Sequence, residues 1–546
     1  MNKIFFLDTE TDSKDARKAK LTGIGLGVGN TIEFLIGHYD KIVPLISDPD
    51  NVMVGHGLLY DITVLQCNGF EVKCQLWDTM GASWLIDENC SHELKDLVKE
   101  EFGIDSPKFK DIKPEQLEEY GKNDAKYTKM LYEKYKPIMD SDYPIFYNLY
   151  MPLLKVVNKM QNNGVEIDLP YLDYTYWQVK DSLDDLEPKI REEIKKYTKE
   201  EINLNSPDQL AKLFFNTIGL KVVKETKGGK SKIKKPSTDA EVLRILASKG
   251  SNIASLLVRY KEKYKLMSTY IKPIQEKVEG TRLHTEYNPF GTLTGRFNSK
   301  NPNLENIPVK DKGLIRSAFI AAPGKALIIS DYSQIELRIL AHCSKDKQLV
   351  YAFNNNLDIH KKTASGIFGI PYDQVTKEMR EEAKTINYGL VYGMSKFRLS
   401  NEAHMPLWKA SKALDSYFKF YAGLTQWKKD TIEQCHKTKF VETILKRKRR
   451  LPDIGSNQKA ERQSINSISQ GSTGDIINTA SVNIDKEFED TDLKILLQTH
   501  DELMFECDEE NADSYIPKIA DIMENSIRLD VPIKVKITKC KNWSEK

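Results

Sequence analysis

The spacing of apolar positions divides the chain into strand-like and helical regions. Residues 4–7 and 326–330 are short, continuous apolar runs, and residues 21–29 alternate apolar side chains with glycine. Both patterns are typical of strands in a central sheet. Residues 146–203, which are highly charged, and residues 341–440 are predicted to be mostly helical. The chain is therefore predicted to combine sheets and helices in several domains.

Three further stretches locate turns and loops. Residues 495–505 predict two strands that meet at a turn at residues 500–502. Residues 289–308 are rich in glycine, asparagine and proline and are predicted to be irregular. Residues 203–280 predict a second helical block around a lysine-rich loop at 224–235. The sequence contains no internal repeat and no long low-complexity segment.

Composition bounds the size of the molecule and excludes two classes of protein. At roughly 150 residues per domain, 546 residues predict three to four domains. Hydrophobic residues make up 40% of the chain, which is enough for a large core. The 81 Lys and Arg residues nearly balance the 79 Asp and Glu residues, which excludes a wholly basic coat protein and an acidic tail protein. Nucleic-acid binding is not excluded, because it depends on the local distribution of charge.

The cysteines and the apolar runs bear on the compartment. None of the seven cysteines forms a C-x-x-C pair, which argues against a zinc ribbon or a redox pair and suits a reducing compartment. No apolar run approaches the ~18 residues of a transmembrane helix. The apolar run at residues 4–7 is also too short for a signal peptide. We therefore expect a cytoplasmic protein, located in the host cytoplasm if a phage encodes it.

Acidic residues near the N-terminus form the first candidate site. Asp8 and Glu10 lie two residues apart on a predicted strand, so both side chains are on the same face. Two carboxylates on one face repel each other unless a cation lies between them, and hard divalent metals prefer such oxygen ligands. The alternative is a pair of solvated acids at a strand end. Asp61 begins a helical pattern, and Tyr120 and Asp124 share one helix face at i and i+4.

Together these segments resemble the three motifs of proofreading 3′–5′ exonucleases, which carry four acids and a tyrosine. The resemblance implies that two metal ions bind the four carboxylates Asp8, Glu10, Asp61 and Asp124. Tyr120 would then help to orient the attacking water, and two such ions suit phosphodiester hydrolysis. Gly57 stands where this family usually has asparagine, which changes the expected geometry of substrate approach.

A second pair of acids lies far apart in the sequence. Asp331 directly follows the apolar run 326–330, and Asp501 and Glu502 lie at the predicted strand–turn–strand tip. Each could be an ordinary loop acid, but together they resemble motifs A and C of family A DNA polymerases. The resemblance implies that Asp331 and Asp501 bind two Mg²⁺ ions, for which Mn²⁺ can substitute, and that Glu502 is an accessory acid.

A helical stripe between these acids resembles motif B of the same family. Arg380, Lys384, Tyr388 and Tyr392 recur every four residues and therefore lie along one helix face. An amphipathic helix with a solvated face is the alternative, but it gives no reason to separate two cations from two aromatic rings. The resemblance implies that Arg380 and Lys384 bind the triphosphate, with Lys384 as general acid. Tyr388 would contact the incoming sugar and base, and Tyr392 would lie near the templating position.

Other positions match family segments that contact nucleotide or DNA. By resemblance, the remaining nucleotide-binding residues are Gln334, Glu336 and His360. The remaining DNA-binding residues are Arg296, Arg462, Asn466, Gln470 and His500. The carboxylate of Glu336 should crowd a 2′-hydroxyl, so Glu336→Ala should raise ribonucleotide incorporation. The Tyr388 hydroxyl should favour incorporation of dideoxynucleotides.

The near-neutral net charge conceals two basic segments. Residues 224–235 contain six lysines and one glutamate, and residues 437–450 contain seven basic residues and one acid. Residues 446–450 could be a solvated turn or, in a eukaryote, a localisation signal, but given the resemblance to polymerases we expect them to contact DNA phosphates. Residues 224–235 could bind the duplex backbone independently of sequence, or could be mobile and contribute little.

The resemblance runs in order over nearly the whole chain and implies a domain plan. A ribonuclease H-like α/β exonuclease domain at residues 1–140 would precede a right-hand α+β polymerase domain at 141–546. The polymerase subdomains would be the helical thumb at about 200–285, the helical fingers at about 341–455, and an antiparallel palm at about 141–199, 286–340 and 456–546. A 5′-nuclease domain is not part of this plan, which favours a compact phage enzyme over the alternative of a bacterial or organellar one.

The predicted function is template-directed DNA synthesis with 3′–5′ proofreading in replication. The expected partners are primer-template DNA, dNTPs, and a helicase and single-strand binding protein at the fork, and the expected state is a monomer. One alternative is a single-subunit RNA polymerase of related fold, against which Glu336 and the exonuclease motifs argue. The other is a non-catalytic DNA-binding accessory subunit, against which the intact Asp331 and Asp501 argue.

Overall fold

The computed structural model describes residues 3–227, 234–308, 313–391, 394–403, 405–455 and 458–546. Tyr392 and residues 228–233 of the lysine-rich loop lie outside these ranges. No helix in the described ranges is long and apolar enough to cross a membrane.

The N-terminal module is a sheet covered by helices. Its elements are β1 Ile4–Thr11, β2 Leu21–Val28, β3 Thr31–Leu35, α1 Val43–Ile46, β4 Val52–Gly55, α2 Leu58–Cys67, β5 Gln75–Asp78, α3 Thr79–Ile86, α4 Leu94–Phe102 and α5 Leu117–Asp142. The strand order is β3-β2-β1-β4-β5, with β1 antiparallel to β2 and parallel to β4. The central strand β1 buries Phe5 and Leu7 completely, as its apolar run predicts.

Glycines set the distance between this sheet and α5. A Cβ atom at Gly25 on β2 would lie 2.3 Å from the carbonyl oxygen of Gly121 on α5, and a Cβ at Gly121 would lie 2.4 Å from the ring of Phe34. Only glycine permits so close an approach of helix and strand. The glycine alternation in β2 therefore places α5, with Tyr120 and Asp124, directly against β1.

A helical module follows. Its elements are α6 Met151–Asn163, β6 Val165–Ile167, α7 Leu169–Lys195, α8 Pro207–Ala211, β7 Glu225–Lys227, β8 Lys234–Pro236, α9 Ala240–Ser248, α10 Asn252–Lys265 and α11 Lys272–Lys277. Helix α10 packs on α7 and α9, and β7 pairs with β8 on either side of the lysine-rich loop. This is the region predicted to contain the thumb.

Short strands lead into a long central strand. They are β9 Val278–Glu279, β10 Arg282–Leu283, β11 Glu286–Asn288, β12 Asn298–Lys300, β13 Phe319–Ile320 and β14 Lys325–Tyr332. The prediction that 289–308 is wholly irregular is wrong for β12, because residues 298–300 pair with the preceding strand β11.

A group of helices with its own hydrophobic core comes next. They are α12 Ile335–Ser344, α13 Lys347–Asn354, α14 Ile359–Phe368, α15 Lys377–Val391, α16 Lys396–Glu402, α17 Leu407–Phe420 and α18 Ala422–Thr438. Their buried side chains, among them Leu349, Ile386 and Tyr417, form a cluster distinct from the main core. The helical prediction for 341–440 is confirmed.

The last region completes the antiparallel sheet that contains β14. Its elements are β15 Phe440–Glu442, β16 Lys448–Arg450, α19 Gln458–Glu487, β17 Lys494–Thr499, β18 Glu502–Asp508, α20 Ala512–Asn525 and β19 Val535–Cys540. The sheet order is β17-β18-β14-β19, and every pair is antiparallel. This order joins β14 to the β17–β18 hairpin and so brings Asp331 beside the predicted turn at 500–502.

Candidate active sites

Three carboxylates of the N-terminal module converge. Asp8 and Glu10 project from the same face of β1, and Asp124 projects from α5. One oxygen of each carboxylate lies within 4.8 Å of the others, and Glu10 and Asp124 are buried. The fold therefore brings Asp8 and Glu10 of β1 together with Asp124 of α5, as predicted.

Asp61 lies beside this group but is held by a different set of contacts. Its Oδ1 accepts hydrogen bonds from the backbone N–H of Thr9 (3.0 Å) and the hydroxyl of Thr9 (2.6 Å). Thr9 lies between Asp8 and Glu10, so these bonds fasten α2 to the strand that carries the other acids. Burial and the charge of Asp8 raise the pKa of Asp61. Asp61 is thus close to the group but outside its three converging oxygens.

The electrostatics of the group favour a cation. Burial, followed by the charge of Glu10, raises the pKa of Asp8 to about 8. Burial is also the largest cause that raises the pKa of Glu10 to about 7. The Oε1 atom of Glu10 is buried and has no hydrogen-bond partner. Clustered oxygen donors with an unsatisfied buried atom fit a divalent metal ion, which would neutralise the repulsion.

Two further side chains complete this site. Lys95 of α4 forms an ion pair with Asp124, and both side chains are about nine-tenths buried, with exposures of 10% and 8%. The Lys95 ammonium also lies 4.2 Å from the ring centroid of Tyr120. Burial raises the pKa of Tyr120, so its hydroxyl keeps its proton near neutrality. Sequence reasoning missed Lys95, because its helix carries a second lysine, Lys99, and no spacing distinguishes the two.

The second pair of acids meets across strands β14 and β18. Asp331 lies opposite Glu502 in the strand register, and the backbone N–H of Tyr332 donates to the carbonyl of Asp501 (3.1 Å). Asp331 and Asp501 border a cavity of ≈ 520 Å³. The other predicted residues that line it are Arg296, Gln334, Glu336, Tyr388 and His500.

The charges of this cavity are partly balanced by lysine. Burial, followed by the charge of Asp331, raises the pKa of Asp501 to about 6. Lys546 Nζ lies 2.8 Å from Asp331 Oδ2 and also contacts Glu502. The other oxygen of Glu502 accepts a hydrogen bond from Trp543 Nε1 (2.6 Å). Glu502 is therefore engaged by two neighbours, which agrees with an accessory position beside the other two acids.

A partly buried glutamate supports the turn that carries Asp501. His500 has a φ of 52°, which is left-handed and costly for a residue other than glycine. The backbone N–H of His500 donates to Glu305 Oε2 (3.4 Å), and the His500 Nδ1 atom lies 3.3 Å from the same oxygen. Burial raises the pKa of Glu305 to about 7. Sequence reasoning gave Glu305 no role.

The predicted stripe on α15 is present as far as the described residues extend. Lys384 and Tyr388 are exposed, and Arg380 Nε donates to Asp358 Oδ2 (2.7 Å). His360 is buried beside this helix, and its Nδ1 accepts from the Asn387 amide (2.9 Å). Burial lowers the pKa of His360 to about 4, so the ring is neutral.

Helix α19 presents the three predicted template-contact residues on its more open side. Arg462 is exposed, and Asn466 and Gln470 are half-buried, whereas Ser464 and Ser469 between them are buried. The i, i+4, i+8 spacing therefore corresponds to one accessible stripe.

The predicted phosphate-contacting role of residues 446–450 is wrong for the arginines at its centre. Arg447 pairs with Asp475 (3.3 Å), and the side chains are 2% and 1% exposed. Arg449 and its neighbour Arg450 both pair with Glu88 of the N-terminal module (2.7 Å and 2.9 Å). Arg449 and Arg450 therefore join the two modules, whereas Arg447 is held within the C-terminal region, because buried acids of other elements pair with all three guanidinium groups.

The lysine-rich loop also has intramolecular partners at its described ends. Lys224 pairs with Asp239 and Glu241, and Lys235 pairs with Asp208. These three ion pairs are exposed, so the lysines can exchange them for phosphates at little cost.

The fold and the two acid sites define a class: an exonuclease-like module followed by a polymerase-like module. Residues 2–140 match the family described as 3′–5′ exonuclease, and residues 175–545 match DNA polymerase family A. The chain belongs to DNA polymerase family A. The predicted family and fold class are confirmed, whereas the boundaries of thumb, palm and fingers stay predictions.

Individual relatives agree with this assignment. The DNA polymerase I of Borreliella burgdorferi is 36% identical, over 100% of this chain and 62% of that protein. The DNA polymerase I of Pseudomonas aeruginosa is 32% identical, over 98% of this chain and 63% of that protein. The chain thus spans less than two thirds of the length of these relatives.

One solved structure is similar over the whole chain. It is described as the POL domain of Pol1 from M. smegmatis in complex with DNA primer-template and dNTP. The TM-score is 0.89 at 27% sequence identity, with 100% of this chain and 96% of that chain covered.

Proposed function

We propose that this chain is a DNA-templated DNA polymerase with a 3′–5′ proofreading exonuclease, acting in DNA replication. The observation that carries the proposal is the presence of two separate acid sites on two different sheets. One contains Asp8, Glu10 and Asp124, and the other contains Asp331 and Asp501. Phosphodiester hydrolysis and nucleotidyl transfer both use paired carboxylates that bind divalent metals.

Each site would use its own carboxylates to hold metal, with Mg²⁺ as the proposed ion and Mn²⁺ as a substitute. In the N-terminal module the ligands would be Asp8, Glu10, Asp61 and Asp124, and in the polymerase module Asp331 and Asp501. When bound, the ions supply Lewis-acid stabilisation of the attacking and leaving oxygens. Tyr120, which keeps its proton, can donate a hydrogen bond to the water or phosphate in the exonuclease site.

The nucleotide would bind between the acid pair and helix α15. Arg380 and Lys384 can bind the triphosphate as cations, and neutral His360 can donate a hydrogen bond to it. Lys384 is exposed and can also deliver a proton to pyrophosphate. Tyr388 lines the cavity and would pack against the incoming sugar and base.

Arg296 and Glu336 line the cavity and would control which nucleotide sugar and which primer terminus can bind. Arg296 Nη2 donates to Glu336 Oε1 (2.7 Å), so the two side chains hold each other in place. Arg296 would contact the primer terminus in the minor groove, and Glu336 would exclude a 2′-hydroxyl. Gln334, at the start of α12, would lie against the same sugar.

The DNA path is proposed along helix α19. Arg462, Asn466 and Gln470 would follow the template minor groove, with His500 at the primer terminus and Tyr392 near the templating base. The M. smegmatis structure, described with primer-template DNA and dNTP, supports the same ligands for this chain. We further propose a monomer that acts in the cytoplasm, in a phage-infected host, beside a helicase and a single-strand binding protein.

Primer extension in Mg²⁺ tests the proposal with two active-site variants. Asp501→Ala should abolish extension and keep 3′ degradation, and Asp8→Ala should do the reverse. Loss of both activities in either variant would contradict two separate sites. Extension with ribonucleotides in preference to dNTPs by the wild type would favour the RNA polymerase alternative. Activity of wild type in neither assay would favour an accessory subunit.

A further inference from the structure

We propose that Lys95 is a further catalytic residue of the exonuclease site, and that its ammonium binds a non-bridging oxygen of the scissile phosphate. The inference rests on the proposed exonuclease activity and extends it to a residue outside the three motifs. Lys95 lies on α4, whereas the four acids lie on β1, α2 and α5.

The position of the ammonium supports a role in the reaction. Its side chain is only 10% exposed, and it contacts Asp124. Its Nζ atom lies 4.2 Å from the ring centroid of Tyr120 and 5.2 Å from that of Tyr127, so two aromatic rings border the ammonium. The ammonium therefore lies among the groups proposed to bind metal and to orient water.

Metal binding alone gives no reason for a lysine at this position. A cation beside carboxylate ligands repels an incoming metal ion and weakens its binding. That cost is offset if the lysine acts on an anion that arrives with the metal. Its flexible stem and three N–H donors allow the ammonium to move from Asp124 to a phosphate oxygen.

The charges of the complete site agree with this role. Four carboxylates and two divalent ions cancel each other, which leaves Lys95 to match the single negative charge of a phosphodiester. The negative charge on the phosphoryl oxygens increases in the transition state of hydrolysis. A cation that reaches those oxygens therefore stabilises the transition state more than the ground state.

The bond changes need no further reactant. The water oxygen forms a bond to phosphorus while the bond from phosphorus to the 3′ oxygen of the preceding nucleotide breaks. One water proton ends on that 3′ oxygen, and the hydroxyl that remains on the released 5′-monophosphate ionises. Lys95 keeps its proton throughout and acts only as a positive hydrogen-bond donor.

The matched control is Lys99, one helical turn farther along α4. Lys99 is 65% exposed and pairs with Asp105 on the surface. Lys95→Met removes the charge and keeps the length of the side chain, Lys95→Arg keeps the charge, and Lys99→Met controls for the loss of a lysine from this helix. Circular dichroism of each variant, together with its primer extension, shows whether the protein is folded.

Single-turnover cleavage of single-stranded DNA is the first measurement. Lys95→Met should be slower by about 10²–10³-fold, the loss typical of removing one donor to a developing oxyanion. Lys95→Arg should recover part of this loss, and Lys99→Met should stay within about twofold of wild type.

Substrates with one sulfur at the terminal linkage distinguish contact from a structural role. If Lys95 binds one particular oxygen, the loss in Lys95→Met should be smaller for the diastereomer in which sulfur already replaces that oxygen. An equal loss for both diastereomers would show that Lys95 does not touch the phosphate and would overturn the proposal.

Titration with Mn²⁺ in the absence of DNA tests the remaining account, in which Lys95 only balances charge. Tighter Mn²⁺ binding by Lys95→Met, with cleavage at the wild-type rate, would overturn the proposal. Wild type that degrades no DNA would refute the proposed exonuclease itself, and the inference with it. Wild type that degrades DNA together with an equally active Lys95→Met would refute the inference alone.

Discussion

The two acid sites differ in how completely the fold assembles them. In the N-terminal module, two strand residues and one helix residue converge within 4.8 Å, and Asp124 is only 8% exposed. In the polymerase module, Asp331 is 31% exposed and faces a cavity of ≈ 520 Å³. The acids of the first site already lie close together in the fold, whereas those of the second line an open cavity.

This difference agrees with what each of the two proposed activities requires. A nuclease site receives one phosphate, so its ligands can be fixed in advance by close packing of α5 on the sheet. A polymerase site must admit a primer end, a template base and a triphosphate, so the substrates supply many of its contacts. Without metal, burial and charge repulsion therefore disfavour ionisation of the acids more strongly in the N-terminal cluster than in the polymerase module. The pKa of Asp8 is raised to about 8, whereas the pKa of Asp501 is raised to about 6.

The largest effect is expected where the two modules are joined. Glu88 is 2% exposed and binds both Arg449 and Arg450. Glu88→Ala leaves a buried guanidinium without its partner and should cost about 3–5 kcal/mol. Urea unfolding should show the loss, with hydrogen exchange increased near residues 84–89 and 440–450. Exposed Glu93 is the control, and a loss below about 1 kcal/mol in Glu88→Ala would contradict a tight junction between the two sites.

The next effect tests whether only the exonuclease site is preformed. Without DNA, Asp8→Ala should lower the affinity of the tightest Mn²⁺ site by at least about 100-fold, because three ligand carboxylates are already in place. Asp331→Ala should have a much smaller effect under these conditions, since the polymerase site lacks its substrate ligands. Calorimetric titration of both variants measures the difference, and the reverse ranking would refute the comparison.

A smaller effect is expected from the support of the catalytic turn. Glu305→Ala removes the acceptor of the His500 N–H and should lower the polymerase rate about tenfold, which corresponds to one hydrogen bond to a charged group. Glu305→Gln should lose less, and 3′ degradation should not change. Glu286 on nearby β11 pairs on the surface with Lys300 and is the control. Equal rates for Glu305→Ala and wild type would exclude the positioning role.

The smallest effect concerns stability against pH in a chelator. The pKa of Asp8 is raised from 3.8 to about 8 in the folded protein, so the folded state binds the proton more tightly than the unfolded state does. Stability should therefore fall as pH rises through this range, and Mg²⁺ should restore it. At pH 8, Asp8→Asn should raise the unfolding midpoint of metal-free protein by about 2–4 °C for each kcal/mol relieved. Calorimetry measures the unfolding midpoint of variant and wild type as a function of pH. If the two profiles are parallel, the ionisation of Asp8 does not limit stability.

Several elements of both sites could be predicted from local sequence. The period of two in β1 places Asp8 and Glu10 on one face, and the period of four in α15 places Lys384 near Tyr388. The apolar run at 326–330 predicts β14, and the alternation of apolar residues and glycine at 21–29 predicts β2. Each of these follows from a repeat within one element, which needs no knowledge of the rest of the chain.

Long-range partners could not be predicted in this way. Lys95 looks like any other lysine of α4 until α5 packs beside it, and Glu305 looks like a loop acid until the β17–β18 turn reaches it. The arginines at 447–450 have the local charge of a phosphate-binding run. Their burial against Glu88 and Asp475 depends on contacts between residues far apart in sequence.

The sequence by itself determined the family, the order of the modules and the acids of both sites, because these depend on residue identity and short-range periodicity. Only the tertiary structure decided which cationic side chains are paired with acids and which are available to bind a ligand. Arg447 and Arg449 pair with buried acids of other elements and become structural groups, whereas Lys384 stays exposed and available for substrate. That choice depends on burial and distance, which raise or lower the cost of a charge and are set only when the modules pack together.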